Sequence, residues 1–370
     1  MDPYNVNPYW DVYKNSNNSK KDQFRFNGKV VWNITQHLKI QGTAGAELNW
    51  FTFEDYKAPT TPGYESGYLQ NNNFRNRMYN FELLALYNNS WGDFDFNATL
   101  GGNLYKVNNQ TIVTTAKDMK IRDVVALMSF NEVSVEPYSY RKQINSVYGA
   151  VNLGWKHMLY FDATLRGDQS STLPISNNMY IYPSFSGSFV FSELLKLGDK
   201  LPYGKVRMSW AQVGSDTDPY QLGLVYTKSK FAYPGYTIGY ISNGTIPNKD
   251  LKPTKTNSFE MGLELKFLKN RIGLDFTYYS QLSKNQIMGM ASSSTSGYGY
   301  RLINAGEIEN KGVEIALNTR PIQTKDFSWD LNFNFSKNSN KVKKLVDDMD
   351  MFELEKACLL YTSDAADDLT

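Results

Sequence analysis

The chain has 370 residues, with 39 Lys+Arg against 37 Asp+Glu, so no net field recruits nucleic acid. No run approaches the roughly 18 apolar residues of a membrane-spanning helix, and the opening MDPYNVNPYW has neither the charged nor the apolar region of a secretion signal. The mean hydropathy of −0.49 reads as that of a soluble protein, but a membrane β-barrel hides its apolar surface in alternate positions.

Alternation is what the sequence shows. Phe24, Phe26, Gly28, Val30 and Trp32 fall on one face; past a turn at 35–37, Leu38, Ile40, Gly42, Ala44, Ala46 and Leu48 continue it. Tyr79, Phe81, Leu83, Ala85 and Tyr87 precede NNSWGD, and Phe94, Phe96, Ala98 and Leu100 follow it. Val147, Gly149, Val151, Leu153 and Trp155 lead into KHM, then Leu159, Phe161, Ala163 and Leu165. Next come Phe185, Gly187, Phe189 and Phe191, then Val206, Met208 and Trp210. Phe259, Met261, Leu263, Leu265 and Phe267 pair with Ile272, Leu274, Phe276 and Tyr278 across Lys269-Asn270. Last are Val313, Ile315 and Leu317, then Phe327, Trp329, Leu331, Phe333 and Phe335. Period two means strands, and the pattern predicts about twelve of them, each roughly ten residues long. Leu84 and Leu86 break the pattern by putting apolar groups on the polar face. A 3.6 period is confined to a short turn near Ser192–Leu197.

The connections alternate too. Turns near 35–37, 88–92, 155–158, 194–201, 268–271 and 320–326 are short. Segments 52–73, 104–141, 167–180, 214–256 and 282–309 are long. A transmembrane barrel sorts its connections this way, tight on one side and long on the other. Trp32, Trp155 and Trp329 lie on the apolar face beside short turns, where an interfacial girdle belongs. The fold expected is all-β, an antiparallel transmembrane β-barrel of which these strands are part. Glu260, Glu264, Lys266, Asp275, Thr277, Asp330, Asn332 and Asn334 would line a wet lumen.

Catalysis finds little support. His37 and His157 sit in short turns without partners at metal-ligand spacing, and both read as surface residues. Asp216 and Asp218 in GSDTDP could offer oxygens to calcium, but a solvated turn is the plainer reading. No Gly-rich phosphate loop or nucleophile elbow occurs. No enzyme, metal or cofactor is expected.

Specific blocks add to this. NAGEIENKGVEIALNTRPIQTKDFSWDLNFNFSKNSNKVKKL at 304–345 resembles the late-barrel signature of SusC/RagA-type TonB-dependent transporters of Bacteroidetes. The matching positions are Asn304, Gly306, Ile308, Asn310, Lys311, Gly312 and Glu314, then Phe327, Trp329, Asn332, Asn340 and Val342. LKPTKTNSFEMGLELKFLKNRIGLDFTYYS, LRGDQSSTLP, YPSFSGSFVFSEL and VRMSWAQVGSDTDPYQ are similar to further blocks of that family. The resemblance covers about Asn7 to Leu345.

The resemblance implies a 22-stranded barrel in the outer membrane, with a plug inside it that this sequence lacks. It implies import of oligosaccharides, less often peptides, with a SusD-like lipoprotein as lid and TonB acting through the plug. A passive porin, an adhesin-type barrel and a soluble carbohydrate-binding all-β protein stay open as alternatives. Residues 1–345 are then barrel wall, with the plug and the final strands absent, and 346–357 begin a loop. Residues 358–370 (CLLYTSDAADDLT) resemble the translation of a sequencing-library adapter and are expected to be read-through. That leaves the protein proper without cysteine, which excludes disulfides, thiolate metal sites and a Cys nucleophile. Substrate or lid contact is expected from the long, Tyr-rich segments through Tyr64, Tyr68, Tyr233, Tyr236, Tyr298 and Tyr300. Tyr offers sugar rings a flat face and a hydroxyl.

Overall fold

The computed structural model describes residues 6–345, except 123, 197, 229–235, 237 and 242–243. The adapter-like tail and Tyr233 lie outside the described residues. A short helix, α1 (Pro8–Lys14), opens the fold. Its Asn7 cap accepts a hydrogen bond from the Tyr9 N–H, and Pro8 supplies the fixed φ that suits a first turn. Eight strands follow: β1 (Ser16–Asn33), β2 (Leu38–Lys57), β3 (Tyr68–Trp91), β4 (Phe94–Met119), β5 (Phe130–Trp155), β6 (Leu159–Ser170), β7 (Met179–Val190) and β8 (Tyr203–Ser215). The turn expected near Ser192 is a helix, α2 (Phe191–Leu195). Three short pieces lie in the long connection after β8: β9 (Tyr226–Lys228), β10 (Gly239–Ile241) and β11 (Thr245–Ile246). Then come β12 (Thr254–Phe267), β13 (Ile272–Ala291), β14 (Tyr300–Gln323) and β15 (Ser328–Lys344).

The twelve long strands form one antiparallel meander in chain order, β1 through β8, then β12 through β15. The sheet does not close on itself: among the described residues β1 and β15 each pair on one side only.

Two expectations need correction. The long strands run from 12 to 26 residues, not about ten. The long segments shrink accordingly, to 58–67, 120–129, 171–178, 216–253 and 292–299. A bilayer requires only about 9–11 tilted residues per strand, so the remainder projects beyond hydrocarbon. There both faces are polar, as in QNNNFRNR (70–77), and the period-two signal fades although the backbone ladder persists.

Cross-strand register keeps every apolar residue of the alternating pattern on one face. Leu38 opposes Tyr87, Tyr87 opposes Ala98, Ala98 opposes Val151, and the row continues through Ala163 and Phe185 to Trp210. This face is open: Phe26, Trp32, Leu100 and Val147 are each between 64% and 69% exposed. In water that surface would cost about 25 cal/mol per Å², whereas in lipid it costs nothing. Trp91 and Phe94 join Trp32, Trp155 and Trp329 beside the short turns, on the same exposed face.

Conventional core is scarce and lies at the far end from the short turns. One cluster holds Tyr56, Ala58, Leu69, Ala116 and Phe130, with Trp10 of α1 packed on it. The other holds Leu173, Tyr180, Leu251 and Leu302. The short turns follow local backbone rules. Lys156 and His157 both adopt positive φ, 51° and 54°, which matches the right-handed twist of the flanking strands.

Leu263, Leu274 and Leu331 sit on the apolar face, so Arg at each is expected to cost about 2–4 kcal/mol in the complete protein folded into lipid vesicles. Arg at Glu264 or Asn332 should cost little, and equal tolerance at both sets would reverse the face assignment. Residues 1–370 alone are expected to form no stable pore, because each unpaired backbone group at the β1 and β15 edges costs several kcal/mol in lipid. Single-channel recording of the purified chain checks this, and well-defined conductance steps would contradict it.

Candidate functional site

The polar face carries a connected set of side chains that reach across more than one strand. Arg207 on β8 forms a fork with Asp275 on β13, at 3.1 and 3.0 Å, and donates to Thr277 at 2.6 Å. Between them lies Gly262 of β12, whose missing side chain leaves the space the guanidinium occupies. Glu260 adds a second carboxylate 4.0 Å from Arg207. The same device recurs at Gly101 of β4. Tyr148 on β5 lies across it to donate to Glu82 on β3, and a Cβ at Gly101 would meet the Tyr148 ring at 2.5 Å. Leu84, one of the two exceptions to the alternation, packs into the same gap.

From Tyr148 the network runs on. The Arg166 guanidinium sits 5.2 Å from the Tyr148 ring centre, bonds Asp168 at 2.9 Å and donates to Ser146 at 3.0 Å. Tyr182 donates to the other Asp168 oxygen and stacks on Tyr180, with centroids 5.9 Å apart. The lumen residues named from sequence also pair: Lys266 with Glu264 at 3.7 Å, and Arg320 with Asp330 at 2.6 Å. Several charges on this face are thus paired within the wall.

Asp216 is not the solvated turn residue expected from GSDTDP, since its side chain is largely buried. Its carboxylate takes the Lys142 ammonium at 2.7 Å, the Ser170 hydroxyl at 2.5 Å and the Thr172 hydroxyl at 3.2 Å. It clamps the start of connection 216–253 onto β5 and β6. Tyr220 reinforces the clamp by accepting from the Arg141 N–H at 3.2 Å. Leu251, fully buried, holds the other end. The fragment GSDTDP displayed the carboxylate but not its partners, which lie 44 to 74 positions away.

Asn304 locks β14 to the end of connection 216–253 by accepting from the Lys252 N–H and donating to the Lys252 carbonyl, both at 2.7 Å. It also donates to Asn285 O at 3.0 Å. Gly306 has φ of 80°, a left-handed kink facing Asn285, which is left-handed as well. Tyr279 covers Gly312, its cross-strand partner. Lys311 and Lys343 both hold Glu309, at 3.2 and 3.1 Å. Asn310 and Glu314 follow on the same strand, Glu314 facing the lumen beside Arg207 and Asp275.

Of the expected contact tyrosines, Tyr64, Tyr68, Tyr236, Tyr298 and Tyr300 fall among the described residues, in or beside the long connections. Tyr64 and Tyr68 come together, ring centres 5.0 Å apart, in connection 58–67 and at the start of β3. That connection is fastened by the Trp10 indole on Thr61 at 2.9 Å and by Asn15, which accepts from the Ala58 N–H at 2.9 Å. Burial raises the Tyr68 phenol's pKa, and backbone N–H groups lower that of Glu65. Tyr236 is largely exposed, and Tyr298 and Tyr300 sit in and after connection 292–299. Among the described residues no ring contact joins Tyr64 and Tyr68 to these three.

Residues 2–351 match the family described as TonB dependent receptor-like, beta-barrel. The chain is 28% identical over 360 residues to TonB-dependent receptor P3 of Formosa agariphila, covering 94% of this chain and 35% of that protein. It is 26% identical to TonB-dependent receptor SusC of Bacteroides thetaiotaomicron, covering 94% of this chain and 37% of that one. In fold it is similar to the RagAB peptide transporter, with a TM-score of 0.83 at 22% identity over 92% of this chain and 38% of that one. The chain thus spans little more than a third of the length of the relatives it matches.

Asp216→Ala is expected to destabilise the clamp by about 1.5–3 kcal/mol, since it strands a half-buried ammonium and two hydroxyls. Hydrogen exchange should quicken at 171–178 and 216–222 while the membrane-spanning strands stay protected. Adding Lys142→Met should recover part of the loss, and an unaltered exchange pattern in Asp216→Ala would remove the clamp.

Proposed function

The chain belongs to the TonB-dependent receptor β-barrel family, and we propose that it forms barrel wall in an outer-membrane importer of nutrients. The observation that carries this reading is a long antiparallel sheet with one open apolar face and one polar face that carries ion pairs such as Arg207 with Asp275. Only a wall between hydrocarbon and a wet lumen satisfies both faces.

The substrate in this reading is an oligosaccharide rather than a peptide. Connections 58–67, 216–253 and 292–299 carry seven tyrosines, whose rings and hydroxyls suit hydroxyl-rich ligands better than charged ones. A SusD-like lipoprotein closes this end as a lid and shields the aromatic surface that would otherwise invite association. TonB acts through a plug within the complete barrel and supplies the energy. The wall contributes containment and selectivity, and performs no bond chemistry.

Replacing Tyr64, Tyr68, Tyr233, Tyr236, Tyr298 and Tyr300 together by Ala in the complete transporter is expected to weaken substrate or lid binding at least tenfold. Barrel folding should be unaffected, because none of the six belongs to the lipid-facing pattern. Calorimetry on the purified complex reads both affinities; unchanged binding of substrate and lid would move the site elsewhere.

A further inference from the structure

The polar face of the first four strands sinks into a pocket of about 370 Å³, lined by Arg25, Asn27, Glu47, Met78, Asn80 and Tyr105. It lies level with the outer part of the apolar band, between the rows that hold Phe26 and Phe81 on the opposite face. Its floor is Gly45, where an added Cβ would stand 2.9 Å from the Asn27 amide oxygen. Strand geometry at Gly45 would tolerate a side chain, so what the glycine provides is depth.

The lining is polar yet electrically closed. Glu47 accepts from Arg25 at 3.0 Å, from Gln23 at 2.8 Å and from Asn49 at 3.0 Å. No uncompensated charge therefore awaits an ionic ligand. Hydrogen-bonding capacity remains, however. Asn80 accepts from Asn103 at 2.7 Å, which leaves its own N–H₂ without a partner among the described residues. Asn27 makes no side-chain hydrogen bond among them, and the Arg25 side chain is largely exposed. Tyr105 donates to the Met78 sulfur at 3.5 Å, which fixes its ring at the pocket wall.

Toward the open end the same face continues as a row of amides in register, with Asn49 opposite Asn76 and Asn76 opposite Asn109. The amide oxygens of Asn49, Asn72 and Asn76 are buried without hydrogen-bond partners. Buried polar atoms rarely stay unpaired in a finished site, since each costs about 1–3 kcal/mol. The Phe51–Phe74 pair, centroids 5.6 Å apart, stands just beyond. Asn80 lies six positions along β3 from Phe74, about 20 Å of wall.

We propose that this pocket is a subsite for one neutral pyranose ring of an oligosaccharide, with the amide row and the Phe pair guiding the rest of the chain toward it. The ring's apolar face stacks on Tyr105, and its hydroxyls bridge Arg25, Glu47, Asn27 and Asn80. A neutral polyol uses such alternating donors and acceptors fully, while a charged peptide terminus or an anionic chelate finds no free countercharge. The proposal rests on the oligosaccharide form of the import reading and adds a binding place inside the wall, away from the Tyr-rich connections.

Calorimetry on the complete transporter tests it, with maltohexaose, laminarihexaose, xylohexaose and trialanine as probes. At least one hexasaccharide should bind the unaltered protein. Tyr105→Ala, Glu47→Gln and Gly45→Leu, the last of which fills the pocket, should each weaken that binding tenfold or more, while Tyr105→Phe keeps it within about threefold. Heat-modifiable electrophoretic migration verifies folding of each variant, and Glu47→Gln, the gentlest change, decides the matter if the others misfold. Unchanged affinity in the folded pocket variants, with loss in the six-tyrosine variant, overturns the subsite and leaves the import reading standing. Binding of trialanine alone, or of no probe, overturns the subsite together with the oligosaccharide assignment.

Discussion

An unpaired backbone N–H or C=O in hydrocarbon costs several kcal/mol, and the architecture follows from that cost. Each strand must be flanked on both sides wherever it meets lipid, and a meander of twelve long strands achieves this for all but its two edges. Once the backbone ladder is fixed, side chains have only two directions to go. One set faces lipid and can be apolar without a core behind it. The other faces water and can be charged without burial.

This division explains the unusual distribution of packing. A protein of this length normally hides its large apolar residues in one interior. Here the largest ones stand open on a face, and ordinary cores occur only where strands rise past the bilayer. There Trp10 and Leu251 return to the usual water-driven burial and fasten the connections. The apolar face needs hydrocarbon for stability, whereas these caps need water.

On the lumen side, glycine acts as spacing. Gly101 and Gly262 let Tyr148 and Arg207 lie flat over a strand and reach the next one. Flat side chains keep the wall smooth, and bonds that span two strands resist shear between neighbours. Ion pairs such as Arg207 with Asp275 and Arg166 with Asp168 settle part of the charge within the wall.

The sequence by itself determined the strand faces, the order of short and long connections and the family. Period-two patterning is local, so Phe259 to Phe267 and Ile272 to Tyr278 could be assigned to a face from their own spacing. The same patterning misjudged strand length, because beyond the bilayer QNNNFRNR has no apolar face to reveal a strand that the ladder with β2 and β4 nonetheless holds. Helix α1, about two turns long, was too short to show a period. Only the tertiary structure decided which polar residues meet. Asp216 with Lys142, Arg207 with Asp275, and Gly45 with Asn27 and Asn80 are brought together by register across strands. Register depends on pairing between residues far apart in the chain, and no local pattern of residue types encodes it.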